Sequence, residues 1–531
     1  MAEPNTRIYI YIYINDKGLC KNWKRKGFFA IQLLITMPIS SDSEFFDESP
    51  LGLQPDDVEH IAIIGGGASG AIALDCLLQE KPSNFKRIDV FERRDQLGGV
   101  WVLDENIDKA LDSKVKSGSS NYDLDPQLDN PFVYSNSKII VNPTDFQERF
   151  EQTASYKTLT TNIPERIMTY SDNKKWSSSQ HQDRDFVDGS VVNEYINQYF
   201  HKNLLDPRVS LNLSTSVEDV ERIPNNKPGP QNSKYRFRLT LRQKLNHSQD
   251  VWWQQDCDSI IVATGHYHIP RIPWVQGLSE IEKIPDVIHH GKFYRNNERY
   301  KNKTVVVVGS RASAIDIINE VCKTALKVYQ SKTNTSNLPN FDKSNVETKP
   351  KINSYEVTSQ GFRINFDDNT FIDNPDHIIY ATGYLFSYPF LNRLTNNSIV
   401  DNGIVSNLYQ HIFPMDEQLI TFVGIPIDGI SFRVFEYQAI LISRYLSGKI
   451  QLPPKSKKLQ WLNKRLLDKG YTRAYHTIGV EDAVDYMETL TNLGTLTNNK
   501  INQGRQYPIF SNEEFQEYVQ SKETLLRKWF N

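Results

Sequence analysis

The sequence predicts an α/β fold carrying two dinucleotide-binding, Rossmann-like domains. Three observations predict it. Two glycine-bearing loops lie about 240 residues apart, each set between an apolar strand and a helical stretch. An acidic residue, Glu92, follows the first loop by 22 residues, at the end of a further strand. An asparagine-bearing segment lies between the two units, as it would if two dinucleotides met over one reaction centre.

The first unit reads as strand Ile61–Ile64, loop, helix Ala68–Gln79 and strand Arg87–Phe91, a βαβ unit of the usual length. In its loop, Gly65 permits the tight turn, Gly67 lets backbone approach a pyrophosphate, and Gly70 lets the helix pack on the sheet. The helix start then offers free N–H groups to phosphate. Glu92 sits where a carboxylate accepts from ribose hydroxyls. Gly98 and Gly99 suggest a second close backbone approach, and Trp101 offers a cover for a flat ring, or else a core side chain. A glycine-rich turn in an unrelated α/β protein is the alternative for the loop taken alone.

The second unit spans Thr304–Tyr329. Gly309 keeps the first loop position, Arg311 replaces the second glycine and Ala314 takes the third, which tolerates alanine. Arg311 puts bulk where backbone would touch phosphate, yet its guanidinium can itself bind phosphate. The next strand ends at Ser331 and Lys332, a hydroxyl and a cation suited to a 2′-phosphate and hence to NADPH over NADH; a solvated loop is the alternative. Between the units, Asn162 precedes Ile163-Pro164. Proline holds its predecessor extended, which fixes this loop, and the amide offers both a donor and an acceptor.

Elsewhere, Lys109–Asn130 reads as an inserted surface loop, Val191–Phe200 as a helix, Asn225–Ser233 as a Pro/Asn turn region, and Tyr235–Leu241 with Val251–Trp253 as a hairpin pair. Asp258–Ala263 reads as a buried strand and the proline-spaced His268–Pro273 as a domain crossing. Thr333–Lys351 reads as a mobile loop, Ser354–Phe366 as a hairpin, His377–Ala381 as a strand returning to the first domain, and Phe435–Leu446 as a helix.

With 531 residues the chain has room for about two to four domains, and 39% apolar residues supply a core. A net charge of −3 gives no general reason to bind nucleic acid or acidic membrane. Four cysteines without a CxxC or CxxxxC pair argue against zinc, a disulfide scaffold and the disulfide reductases, and for a reducing compartment. No run reaches the roughly 18 apolar residues of a transmembrane helix. Residues 1–56 are expected to form a poorly ordered extension, and a start assigned too early would account for those before Met37. The apolar stretch Phe28–Ile39 behind the basic run Lys21–Lys26 also allows a signal-peptide core.

The motifs together resemble flavin-containing monooxygenases, particularly the fungal, thiol-oxidising type. The resemblance rests on GGGASG at Gly65–Gly70, FERRDQLGGVW at Phe91–Trp101, LTTNIPERIMTYSD at Leu159–Asp172, and ATG–tyrosine pairs at Ala263–Tyr267 and Ala381–Tyr384. It covers about Glu59 to Tyr486. The family motif FxGxxxHSxx(Y/F) is degraded: His290 and Tyr294 persist, Ile284 and Asp286 stand for Phe and Gly, and Gly291 for Ser. Ser431-Phe-Arg stands where the family has a PFP motif, although Glu436 and Gln438 persist.

The resemblance implies a larger FAD domain, 57–268 and 379–531, with a smaller NADPH domain, 269–378, inserted. It implies that Gly65, Gly67, Ala68, Ser69, Gly70, Glu92, Val100 and Trp101 hold FAD. Gly309, Ser310, Arg311, Ala312, Ser313, Ser331 and Lys332 would hold NADPH, with Thr161 and Asn162 where flavin and nicotinamide meet. The implied chemistry transfers one oxygen atom of O2, through a C4a-hydroperoxyflavin, to a thiol, thioether or amine, Asn162 supplying a catalytic hydrogen bond. The resemblance also implies a cytoplasmic location, at most peripheral to the cytosolic face of the endoplasmic reticulum. The alternatives are a Baeyer–Villiger monooxygenase and a low-turnover NADPH oxidase or redox-sensing nucleotide-binding protein.

Overall fold

The computed structural model describes residues 51–107, 109–143, 151–174, 176, 186–225, 235–246, 249–333, 338–479, 481–496 and 504–530. The expectations for the first 50 residues, including Phe28–Ile39 and the Met37 start, lie outside them, as does the turn at 226–233. Contacts divide the chain into Met1–Asp47 and Glu48–Asn531, and the second unit holds every described residue.

Two parallel five-stranded sheets organise this unit. In the first, β1 (His60–Ile64) leads through α1 (Ala68–Gln79) to β2 (Arg87–Phe91); α2 (Gly189–Asn203), β3 (Val209–Asn212) and β4 (Ser259–Val262) come next. Residues 61–64 are all buried, because a parallel strand covered on both faces needs a continuous apolar run rather than an alternating one. The second sheet takes β5 (Ile288–His290), β6 (Thr304–Val308), α3 (Ala312–Val321), β7 (Lys327–Ser331), β8 (Val346–Lys349) and β9 (His377–Tyr380). Then β10 (Ile420–Phe422) returns to the first sheet, succeeded by α4 (Ser431–Leu446) and, near the C-terminus, α5 (Asn512–Phe530).

The strand orders are β10-β4-β1-β2-β3 and β5-β9-β6-β7-β8. In each sheet the glycine loop leaves the carboxyl end of a strand flanked on both sides, where connections diverge and open α/β sheets bind ligands. The chain crosses between the sheets twice, and the crossings pair antiparallel with each other, Ile269 with Leu385 and Pro270 with Tyr384. The hairpin 235–257 forms, within an antiparallel sheet that also takes in Ile139–Pro143 and Thr215–Pro224. No helix among the described residues is long and apolar enough to cross a membrane.

Three expectations change. Lys109–Asn130 is not a surface loop but a brace containing two short helices. Asp112 Oδ2 lies 2.7 Å from His289 Nδ1 on β5, the Ser117 N–H donates to Glu282 Oε1 at 2.6 Å, and the Tyr122 hydroxyl donates to the carbonyls of Asn397 and Val400. Polar residues that look solvated in one dimension are spent on distant partners in three. Second, the tract expected to be mobile contains β8, whose Lys349 pairs with Ser331. Third, the strand His377–Tyr380 does not lie in the first sheet: it runs between β5 and β6 through Tyr380.

The candidate nucleotide cradles and the asparagine loop

Backbone geometry builds the first loop. The Gly65 N–H donates to the Phe91 carbonyl at 2.8 Å, which turns the chain off β1 with φ = +120°. A Cβ on Gly65 would lie 2.4 Å from the Ala263 carbonyl oxygen, and one on Gly70 only 2.0 Å from that of Gly65. These two glycines are steric necessities. Gly67 faces Gly99, where an added Cβ would lie 2.9 Å from the Gly67 α-carbon. The Gly98 N–H donates to the Gly66 carbonyl at 2.9 Å, so the two glycine segments lie backbone to backbone.

Glu92 is buried at the tip of β2. Its Oε2 accepts from the Gly66 N–H at 2.7 Å and its Oε1 from the Arg94 N–H at 2.9 Å. Each carboxylate oxygen keeps lone pairs for a further donor, so Glu92 both braces the loop and remains able to accept. Ala68 is buried and its carbonyl accepts from the Tyr170 hydroxyl; the Ser69 hydroxyl donates to the Ala263 carbonyl at 3.1 Å. Val100 and Trp101 lie in a single 3-10 turn, both half-buried. A hollow lined by Gly65, Phe91, Glu92, Val217, Thr264 and Phe390 opens beside the loop. Nearby in the chain, Thr264 Oγ1 and His266 Nε2 are buried without a hydrogen-bond partner among the described residues. Orphaned polar atoms at such a place call for a ligand or water.

The asparagine loop is tied down on both sides of Asn162. The Thr161 N–H donates to the Val187 carbonyl at 2.8 Å, and the Val187 N–H donates back to Thr161 Oγ1 at 3.1 Å. Ile163 and Pro164 are buried, and Pro164 caps the short helix Glu165–Met168. Asn162 itself is exposed, with no hydrogen bond to its amide among the described residues. The loop also reaches the first cradle: an added Cβ on Gly189 would lie 3.4 Å from Leu159 Cδ2 and 3.5 Å from Trp101 Cε3.

The second loop shares the turn and little else. Gly309 has φ = +146°, its N–H donates to the Ser331 carbonyl at 2.9 Å, and an added Cβ would lie 2.6 Å from the Ala381 carbonyl oxygen. Ala314 is fully buried, as a helix-packing position requires. Ser310, Ala312 and Ser313 are exposed or half-exposed around the start of α3. Arg311 occupies the position just before α3 and pairs with Asp428. Ser331 and Lys332 are committed elsewhere. The buried Ser331 hydroxyl donates to the Pro350 carbonyl at 2.9 Å, and Lys332 Nζ donates to the carbonyls of Leu338 at 2.8 Å and Pro339 at 3.3 Å. Burial lowers the Lys332 pKa.

His290 is structural in this arrangement. Burial pushes its ring down to about 3, so it is neutral; Nε2 donates to the Gly383 carbonyl at 2.9 Å while Nδ1 accepts from the Lys292 N–H at 3.1 Å. It therefore fastens β5 to the second crossing. Sequence reasoning missed Tyr156, whose hydroxyl donates to Asp316 on α3 at 2.6 Å; it missed Asp428 as well. Tyr156 opens the asparagine element but carries no signal of its partner, Asp428 lies in no motif, and only spatial proximity reveals their contacts.

The chain is similar to known proteins in sequence and in fold. The family model described as FMO-like, flavin-binding monooxygenase-like, matches residues 124–340 and 336–503. Flavin-containing monooxygenase ustF2 of Aspergillus flavus is 26% identical over 464 residues, covering 80% of this chain and 89% of that protein. Flavin-containing monooxygenase FMO GS-OX-like 1 of Arabidopsis thaliana is 28% identical over 406 residues, covering 76% and 74%. In fold, the chain is similar to S-allyl-L-cysteine S-oxygenase from Allium sativum, with a TM-score of 0.63 at 24% identity over 88% of this chain and 98% of that one. A caprolactone-bound cyclohexanone monooxygenase gives a TM-score of 0.51 at 10% identity, over 82% and 97%.

Proposed function

The chain belongs to the flavin-binding monooxygenase-like family, and from that premise we propose that it is an FAD- and NADPH-dependent enzyme placing one oxygen atom of O2 on a soft sulfur or nitrogen nucleophile, a thiol, thioether or amine. The observation that carries this reading is the asparagine loop: Thr161 is bonded to Val187 through both its N–H and its hydroxyl and Ile163 and Pro164 are buried, while the Asn162 amide is exposed without a partner among the described residues, in a loop whose Leu159 and the cradle's Trp101 both border Gly189. The similarity in fold to an S-allyl-L-cysteine S-oxygenase supports a sulfur substrate.

The residues present fit FAD at the first loop. Gly67 and Gly99 pack backbone to backbone at the start of α1, whose N–H groups suit a pyrophosphate, Glu92 keeps lone pairs for ribose, and Thr264 Oγ1 and His266 Nε2 are polar atoms awaiting partners. The second loop fits a second dinucleotide through Gly309, the start of α3 and the Arg311 guanidinium. The flavin would sit on 57–268 and 379–531, and the nicotinamide nucleotide on 269–378, with β9 completing that sheet. Bound FAD, reduced by NADPH, supplies the oxygen-activating chemistry. The chain's own work is positional. Trp101 covers one side of the first cradle, Thr161 fixes the loop, and Asn162 offers a preorganised hydrogen bond where charge develops, which needs no reorganisation during reaction.

Flavin absorbance of the purified chain, then NADPH consumption under air with and without a thioether, tests the proposal. We expect a yellow protein and one sulfoxide per NADPH. A colourless chain, or one indifferent to NADPH after FAD addition, overturns it. The commitment of Ser331 and Lys332 to backbone carbonyls favours a second reading, a low-turnover NADPH oxidase or redox sensor. Slow NADPH loss yielding only hydrogen peroxide would establish that one, and oxygenation of a cyclic ketone in preference to the thioether would point to Baeyer–Villiger chemistry.

A further inference from the structure

Asp428 stands in the connection between β10 and α4, with φ = +58°. Its place is fixed by the backbone of the preceding residue: the Ile427 N–H donates to the His476 carbonyl at 2.9 Å, and the Ile478 N–H donates to the Ile427 carbonyl at 3.0 Å. That bracket sets the Asp428 carboxylate against Arg311, the residue preceding α3, so a side chain beyond the first sheet pairs with the loop of the second. The surroundings are cationic. Arg473 lies within electrostatic reach of Arg271, Arg311 and Asp428, and Lys522 on α5 within reach of Asp428. Asp428 is thus a carboxylate paired with Arg311, with the cations Arg473 and Lys522 also near it.

We propose that Asp428 is a tethered counter-anion that occupies, opposite Arg311 and the start of α3, the position a phosphate of the second nucleotide would take, and so competes with that nucleotide for Arg311. The inference rests on the proposed NADPH dependence and adds a residue to it. The physical logic is exchange. Without nucleotide, Arg311 is paired rather than bare. The exposed pair, with Arg311 at 72% and Asp428 at 44% side-chain exposure, is weak enough to yield to a pyrophosphate bearing more charge. On release the carboxylate takes Arg311 back, which favours departure of the nucleotide.

Calorimetric titration of NADP+ into the FAD-loaded full chain tests this. Asp428→Asn suits the purpose because asparagine tolerates positive φ; Asp428→Gly, which tolerates it better still, guards against a folding defect in the first variant. Both should bind NADP+ about two- to five-fold more tightly, the range an exposed ion pair supports. Arg311→Ala should bind more weakly, and in an Arg311→Ala background Asp428→Asn should add nothing, because the competed group is gone. Unchanged or weaker binding by both Asp428 variants would show a mere structural bridge and overturn the proposal. A gain that persists without Arg311 would also overturn it, pointing to general repulsion. Failure of the FAD-loaded wild type and every variant to bind NADP+ removes the NADPH reading and this inference together, an outcome distinct from wild-type binding with no Asp428 effect.

Discussion

The two glycine loops make the same turn by different means. In the first, Gly65, Gly67 and Gly70 bring backbone onto backbone, and the one charged side chain involved, Glu92, is buried and bonded to the loop itself. In the second, Gly309 alone is sterically required, and the position before α3 is held by an exposed arginine whose partner lies 117 residues away. The first cradle is fixed by exclusion of atoms, the second by adjustable charge. Such a division suits a permanently held group on one side and an exchanging one on the other.

The comparison can be broken most severely at Gly70. A Cβ there must displace the Gly65 carbonyl, so Gly70→Ala should approach the roughly 4–5 kcal/mol upper range of single substitutions, with bound flavin per chain falling to near zero. Full flavin content would refute the steric reading. Next, Asn162→Ala should lower product formed per NADPH by about 10²–10³-fold, the scale of one preorganised hydrogen-bond donor, with hydrogen peroxide appearing instead and the melting temperature unchanged. Wild-type product yield would remove Asn162 from the mechanism. Gly309→Ala carries a positive-φ strain of about 1–3 kcal/mol besides its overlap with Ala381. It should weaken NADP+ binding while the flavin spectrum stays intact; loss of both would mean that the cradles are not separable.

Acid should act on both halves. His266 lies just beyond β4 and His290 belongs to β5, and burial lowers each to about 3. The folded state favours the neutral ring, so this stability is complete above the ordinary histidine pKa of about 6.5 and drains away as pH falls from there toward about 3. A melting temperature that stays flat as pH falls from about 7 to about 5 would contradict it. The smallest effect is expected at Lys332. With its ammonium bonded to Leu338 and Pro339, Lys332→Ala should change NADP+ affinity by less than about three-fold, under 0.7 kcal/mol or so; a ten-fold loss would restore this lysine to the 2′-phosphate.

How far the sequence reaches differs between these regions for one reason. The first cradle also leans on remote Ala263 and Thr264, but its glycine spacing, strand pattern and acidic terminus all lie within His60–Gly99 and are local signals. The second depends on residues far along the chain. The polar tract after Lys332 hides β8, and it is β8 that brings the Pro350 carbonyl to the Ser331 hydroxyl. Lys109–Asn130 reads as a loop for a similar reason: Asp112, Ser117 and Tyr122 carry no periodicity, and their partners are remote. Asp428 has no motif at all.

The chain by itself settled what is enforced by hard-sphere contact and short-range pattern: two parallel sheets, each with a glycine turn at a strand end, and an asparagine loop between them. Tertiary structure alone decided which polar side chains remain available and which are already used. A hydroxyl, ammonium or carboxylate has the same letter whether it faces solvent or a distant carbonyl, and only folding brings the partner that makes the difference.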